Sequence, residues 1–119
     1  MSTRILVVDD DPGIRELTAE FLTRHGYRAD TAADASGLRE KLSAHSYALI
    51  VLDVMMPGES GFDYAREVRQ TSRVPILMLT AKAMPDDQAR CLDAGANDYM
   101  AKPIDVDKLL SLVRVWMPR

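Results

Sequence analysis

Apolar residues follow two alternating rhythms along this chain. Short unbroken runs, Ile5–Val8, Ala48–Leu52 and Pro75–Leu79, have the length and the Val, Ile, Leu and Met content of strands buried on both faces. Arg28–Ala32 and Tyr99–Ala101 are shorter or more polar strand candidates, and the first is polar enough to be an edge strand. Between them the apolar positions recur at helical spacing. Ile14, Leu17, Phe21 and Leu22 define one face of a first helix, with Pro12 in its first turn and Gly26 as its stop. Leu38 and Leu42 mark a second helix capped by Asp34, and Phe62, Tyr64, Ala65 and Val68 a third capped by Ser60. A fourth helix is predicted from about Pro85 to Ala94, stopping at Gly95. The fifth carries Val106, Leu109, Leu110, Val113 and Trp116. Strand and helix in strict alternation imply right-handed βαβ crossovers, hence an α/β fold with a parallel sheet covered by helices on both faces.

Composition narrows the class without changing that picture. At 119 residues the chain is expected to form one domain. A net charge of −3 argues against a broad nucleic-acid-binding face. The single cysteine, Cys91, rules out an internal disulfide and reads as a small core hydrophobe. The N-terminal apolar run is too short for a signal peptide, and no stretch approaches a membrane span, so a cytoplasmic location is expected. His25 and His45 sit near predicted helix ends and read as caps or surface. The methionines read mostly as core or loop filler.

The chemistry gathers at strand ends. Ile5–Val8 opens onto Asp9, Asp10 and Asp11; Ala48–Leu52 onto Asp53; Pro75–Leu79 onto Thr80; and Tyr99–Ala101 onto Lys102-Pro103. In an open parallel sheet the carboxyl ends of the strands line the ligand crevice. If the first and third strands are neighbours, several carboxylates converge on one small mouth and call for a cation. A hard cation such as Mg²⁺ takes oxygen ligands from one or two carboxylates plus phosphate. Beside it one aspartate can stay ionised and attack phosphorus. The charge on a transferred phosphoryl group would then be shared by the metal, the Lys102 ammonium, and the Thr80 hydroxyl with backbone N–H groups. Asp11, next to Pro12, reads instead as a helix cap.

These residues resemble those of response regulator receiver domains, the phosphoaccepting modules of two-component signalling. The likeness runs from Ile5 to about Trp116. It rests on Val7-Val8-Asp9-Asp10, on Asp53 with Met56-Pro57-Gly58 and Gly61, on Leu79-Thr80-Ala81, and on Gly95-Ala96-Asn97-Asp98-Tyr99 leading to Lys102-Pro103. The resemblance implies a chemotaxis-regulator-like, flavodoxin-like (βα)5 fold with strand order 2-1-3-4-5, and a single receiver domain over 1–119. It implies that Asp53 accepts phosphate from a sensor histidine kinase or a histidine phosphotransfer protein. Mg²⁺, or Mn²⁺ in its place, would be held by Asp9, Asp10, Asp53 and the backbone carbonyl of Met55, with Asp9 acting mostly through a metal-bound water. Thr80, Ala81 and Lys102 would surround the phosphoryl group, Tyr99 would move inward behind Thr80, and the Lys102-Pro103 bond would be cis.

The read-out face implied by the family is α4-β5-α5, here Met84 to Asp93, Tyr99 to Ala101 and Asp105 to Trp116. Its partner would be a downstream protein, an effector domain or, on phosphorylation, a second copy of the chain. The only chemistry implied is self-phosphorylation from phosphodonors and self-dephosphorylation, the latter slow because Met55 offers no group to orient water; Lys82 is the other position that tunes it. The start at Met1 points to a stand-alone regulator or an N-terminal receiver. The alternative is a haloacid dehalogenase-like phosphatase using Asp9 as nucleophile, since Asp9-x-Asp11 after a strand fits that motif too. It would leave Asp53 unexplained and the chain too short for the usual cap.

Overall fold

The structure, a computed structural model, describes residues 4–54, 61–80, 85–102 and 104–117, with the backbone alone at 85–88. Five strands and five helices alternate: β1 Arg4–Val8, α1 Pro12–Arg24, β2 Arg28–Ala32, α2 Ala35–Ala44, β3 Leu49–Asp53, α3 Gly61–Thr71, β4 Ile76–Thr80, α4 Pro85–Asp93, β5 Asp98–Ala101 and α5 Val106–Trp116. All neighbours pair parallel, in the order β2-β1-β3-β4-β5. Every predicted element is present, with β3 and β4 displaced one residue toward their C-termini and β5 starting one residue earlier. The shift in β3 matters, because it makes Asp53 the last paired residue of the strand, opposite Leu79, rather than the first of a loop.

The pleat sends alternate residues into two apolar layers. Ile5, Val7, Leu49, Val51, Leu77, Leu79 and Met100 pack with Leu22 of α1 and with Leu109 and Val113 of α5. Leu6, Val8, Ile50, Leu52, Ile76 and Met78 pack with Leu38 of α2, with Phe62, Tyr64, Ala65 and Val68 of α3, with Cys91 of α4 and with Ala94 just beyond it. β3 and β4 are buried along their whole length, which is why they read as continuous apolar runs. Burying each such side chain is worth about 1.5–3 kcal/mol. β2 is the polar edge, and Asp30 on it pairs with Arg4 Nη1 at 3.0 Å and accepts the Tyr47 hydroxyl at 2.7 Å.

The helix ends follow their expected caps. Asp11 accepts from the Gly13 and Ile14 amides at 2.8 and 3.3 Å, and Asp34 from Gly37 at 2.8 Å. His25 and His45 are the C-caps of α1 and α2, and His25 Nδ1 lies 2.9 Å from the Phe21 carbonyl. Gly26 and Gly95 both adopt positive φ, +92° and +102°, as helix stops in the left-handed region require.

One expectation about α1 fails. Leu17, predicted on the core face, is 63% exposed. Thr18 takes the sheet-facing position with Leu22, four residues on, and its hydroxyl is satisfied by the Ile14 carbonyl at 2.7 Å. Leu17 is one residue, or about 100°, away from that line. It borders an apolar cavity of about 230 Å³ between α1 and the start of α5, together with Ile14, Ile104 and Val106. Val106, in the first turn of α5, is likewise 38% exposed rather than buried.

Candidate functional site

β1 lies between β2 and β3, so the chain winds away from it in both directions and a crevice opens at its carboxyl end. Asp9 stands directly beyond β1 and Asp53 ends β3, the neighbouring strand. Their carboxylates therefore meet because the strands do. Carboxylate oxygens of Asp9, Asp10 and Asp53 lie within 4.8 Å of one another, Asp9 and Asp53 buried and Asp10 exposed.

Each acid is positioned by backbone. The Asp9 amide donates to the Ala32 carbonyl at 3.1 Å, its Oδ1 accepts from the Asp11 amide at 3.0 Å, and its own carbonyl accepts from Arg15 Nη1 at 2.9 Å. On the other strand the Val54 amide donates to Leu79 O at 2.9 Å, and Gly61 returns to Val54 O at 2.9 Å. Gly61 permits that return, since a Cβ there would run into the Asp53 carbonyl and Val54 Cα. Arg15, which clamps the Asp9 backbone, is not legible in the sequence, because a lone arginine on a helix carries no signal of its own.

Lys102 completes the cluster from β5. Its amide donates to Thr80 O at 2.7 Å, which fixes it beside the end of β4. Its Nζ stands 3.1 Å from Asp53 Oδ2 and 3.2 Å from Asp9 Oδ2. Burial pulls the ammonium toward neutrality, but the hydrogen bond to Asp53 and the charges of Asp53 and Asp9 outweigh it and raise its pKa above the usual lysine value. Lys102 is thus a fixed positive charge. At Asp9 Oδ2 the ammonium is at ion-pair distance but outside hydrogen-bonding geometry, so this buried oxygen has no hydrogen-bond partner among the described residues.

That oxygen tests the expected metal. Two buried carboxylates and an exposed one, held close with one buried oxygen unsatisfied, form a hard oxygen donor set that fits a divalent cation. Thr80 is buried at the end of β4, paired with Ala101. Tyr99 is half-buried on β5 opposite Met78 and packs on the α2-α3-α4 side of the sheet, away from the carboxylates. Met55, Ala81 and Pro103 with its peptide bond lie outside the described residues, as do Met56-Pro57-Gly58, Ser60, Lys82 and Met84.

A five-stranded parallel α/β domain with an acidic pocket and a lysine at the carboxyl edge of its sheet is the architecture of a signalling receiver. The model of the response regulator receiver domain family matches residues 5–114, and the chain belongs to that family. It is 42% identical over 115 residues to protein PetR of Rhodobacter capsulatus, matching 97% of this chain and 48% of that one. The chain spans about half the length of the curated relatives it matches. Among solved structures, chemotaxis protein CheY4 of Vibrio cholerae superimposes with a TM-score of 0.92 at 31% identity, covering 98% of this chain and all (100%) of that one. Response regulator TrrA of Thermotoga maritima, solved in complex with Mg²⁺-BeF, gives 0.86 at 37% identity, with 98% and 100% covered.

Phosphorylation switching is the general function of this family, whose receivers are signalling domains rather than classical enzymes. The match does not favour the phosphatase alternative with Asp9 as nucleophile. No helix among the described residues is long and apolar enough to cross a membrane.

Proposed function

We propose that this chain is a single receiver domain over 1–119 in which Asp53 accepts a phosphoryl group. The donor is a histidine kinase or a histidine phosphotransfer protein. The observation that carries the reading is the Lys102 ammonium standing 3.1 and 3.2 Å from Asp53 and Asp9. Of the two buried carboxylates, Asp9 is tied through Oδ1 to the Asp11 amide. Asp53 is the last residue of β3, and its Oδ2 meets the Lys102 ammonium.

In the transfer, an Asp53 carboxylate oxygen forms the new O–P bond as the N–P bond of the donor phosphohistidine breaks. The imidazole leaves with the electron pair and takes a proton from water. Asp9, Asp10, Asp53 and the Met55 carbonyl would hold Mg²⁺, which would supply charge neutralisation to the carboxylates and the phosphoryl oxygens. Lys102, as its ammonium, turns from the carboxylates to a phosphoryl oxygen. The Thr80 hydroxyl and the amide of Ala81 hold another oxygen. Tyr99 follows Thr80, and the α4-β5-α5 face carries the change to a downstream protein or effector domain.

The test is incubation with acetyl phosphate and Mg²⁺ followed by intact-mass measurement. One phosphoryl group should be gained, and none when Mg²⁺ is withheld. Undiminished gain without a divalent cation would refute the reading.

A further inference from the structure

Strand β5 joins two anchored groups. At its C-terminal end Lys102 enters the acidic pocket, and at its N-terminal end Asp98 receives the side chain of Trp116 from the last turn of α5, Nε1 to Oδ2 at 3.0 Å. The other Asp98 oxygen accepts the Tyr99 amide at 2.9 Å, so the carboxylate ties the backbone of β5 to the end of α5. Only four residues long, β5 is bonded on one side, to β4, and forms the edge of the sheet. Its start cannot slide: Asn97 donates its amide to Ile76 O at 2.9 Å, and its side chain accepts from Arg69 and from the Ile76 amide. An edge strand pinned at its start and drawn at its far end can twist about its length. Twisting turns the Tyr99 peptide, and with it the carboxylate that Trp116 is bonded to. The indole is half-buried against the α1–α5 layer that contains Met100, the β5 residue midway between the two anchors.

We infer that Asp98 is a positioning residue that reports the state of the acidic pocket to the end of α5, by holding Trp116 when the pocket is empty and releasing it when the pocket is loaded. This rests on the phosphorylation reading above. A loaded pocket draws Lys102 off the Asp53 and Asp9 carboxylates, and the resulting twist misaligns the Asp98–Trp116 bond. Because coupling between two equilibria is reciprocal, breaking that bond by mutation must also favour loading.

Trp116 is the single tryptophan of the chain, so tryptophan emission reports the surroundings of this one side chain, and the Asp98 variants isolate the contribution of this contact. The full chain is titrated with beryllofluoride and Mg²⁺ while Trp116 emission is followed, and phosphoryl gain from acetyl phosphate is measured by intact mass in parallel. Wild type should show an emission step that tracks loading. Asp98→Ala should show the stepped emission already without ligand and bind beryllofluoride about 5-fold more tightly, within the usual range of coupling between sites. Asp98→Asn keeps an acceptor oxygen, and should retain both the step and an affinity near that of wild type.

A wild type that takes up the phosphoryl group with silent Trp116 emission overturns this inference and leaves the phosphorylation reading standing. So does an Asp98→Ala protein with unchanged step and affinity. Failure to gain any phosphoryl group or bind beryllofluoride overturns both.

Discussion

The two edges of this sheet each bury a long cationic side chain, and they treat it differently. At the amino edge Arg69 is bound to fixed backbone: Nε to Gly95 O at 2.8 Å, Nη1 to Val74 O at 2.5 Å, and Nη2 to the Asn97 side chain. At the carboxyl edge Lys102 meets two carboxylates, one of which keeps an unsatisfied buried oxygen. Arg69 suits its place because a planar guanidinium offers several donors in fixed directions. Lys102 suits its own because an ammonium is a point charge on a flexible stem, free to change partners. One edge is satisfied and serves as an anchor; the other is left partly unsatisfied, with an acidic donor set that fits a divalent cation.

Removing the acceptor should have the largest effect. Asp53→Ala should abolish phosphoryl gain from acetyl phosphate in an intact-mass assay while leaving the fold intact by circular dichroism. At the other edge Arg69→Ala should do the reverse. It strands the part-buried carbonyls of Val74 and Gly95 and should cost roughly 1–3 kcal/mol in urea unfolding, with phosphoryl gain retained below the transition. Gly95→Ala should cost about 1–3 kcal/mol, since φ is +102° there and the new Cβ would sit 2.6 Å from Arg69 Cγ.

Lys102→Met comes next in size. It removes the charge that competes with the metal, so Mg²⁺ should bind several-fold more tightly by calorimetry, while phosphoryl yield falls. The metal-free variant should also be less stable, because two buried carboxylates then face each other without a counter-charge.

The smallest effects are those of pH, and they separate the edges by sign. Lys102 has a folded pKa above its ordinary 10.5, so its contribution is fully present below that value and fades as pH rises through the folded value. Asp30, in the middle of β2 with its side-chain partners Arg4 and Tyr47 toward the amino ends of β1 and β3, is the opposite case. Burial pushes it up, but the hydrogen bonds from Tyr47 and Arg4 prevail and leave it below its ordinary 3.8. Its contribution is present above that value and is lost as pH falls further. Tyr47, raised by burial and by Asp30, adds an alkaline loss above its ordinary 10.0. Unfolding against pH in Tyr47→Phe should therefore keep the Lys102 part of the alkaline loss, and Lys102→Met should remove it. Asp30→Asn should flatten the acid side and, because Tyr47 loses a charge that holds its pKa up, weaken the Tyr47 part of the alkaline loss as well.

The sequence by itself determined the alternation of strands and helices, the caps at Asp11 and Asp34, the stops at Gly26 and Gly95, and which acids and which lysine stand at strand ends. These are local matters: periodicity reports burial on one or two faces, and a cap is a contact within four residues. Family motifs added the identity of the site, because chemistry that needs several groups at once leaves several marks in order. Tertiary structure decided what local pattern cannot carry. It made Thr18 rather than Leu17 the buried residue of α1, because the line of contact with the sheet is narrower than the apolar stripe. It bound Arg69 to Asn97 and Trp116 to Asp98, contacts 28 and 18 residues apart that no spacing announces. It also brought the Asp9 and Asp53 carboxylates within 3.1–3.2 Å of the Lys102 ammonium, which follows only from β1 lying beside β3 and from β5 closing the row beside β4. Residue type sets which groups could act together, but the order of strands in the sheet sets which of them meet.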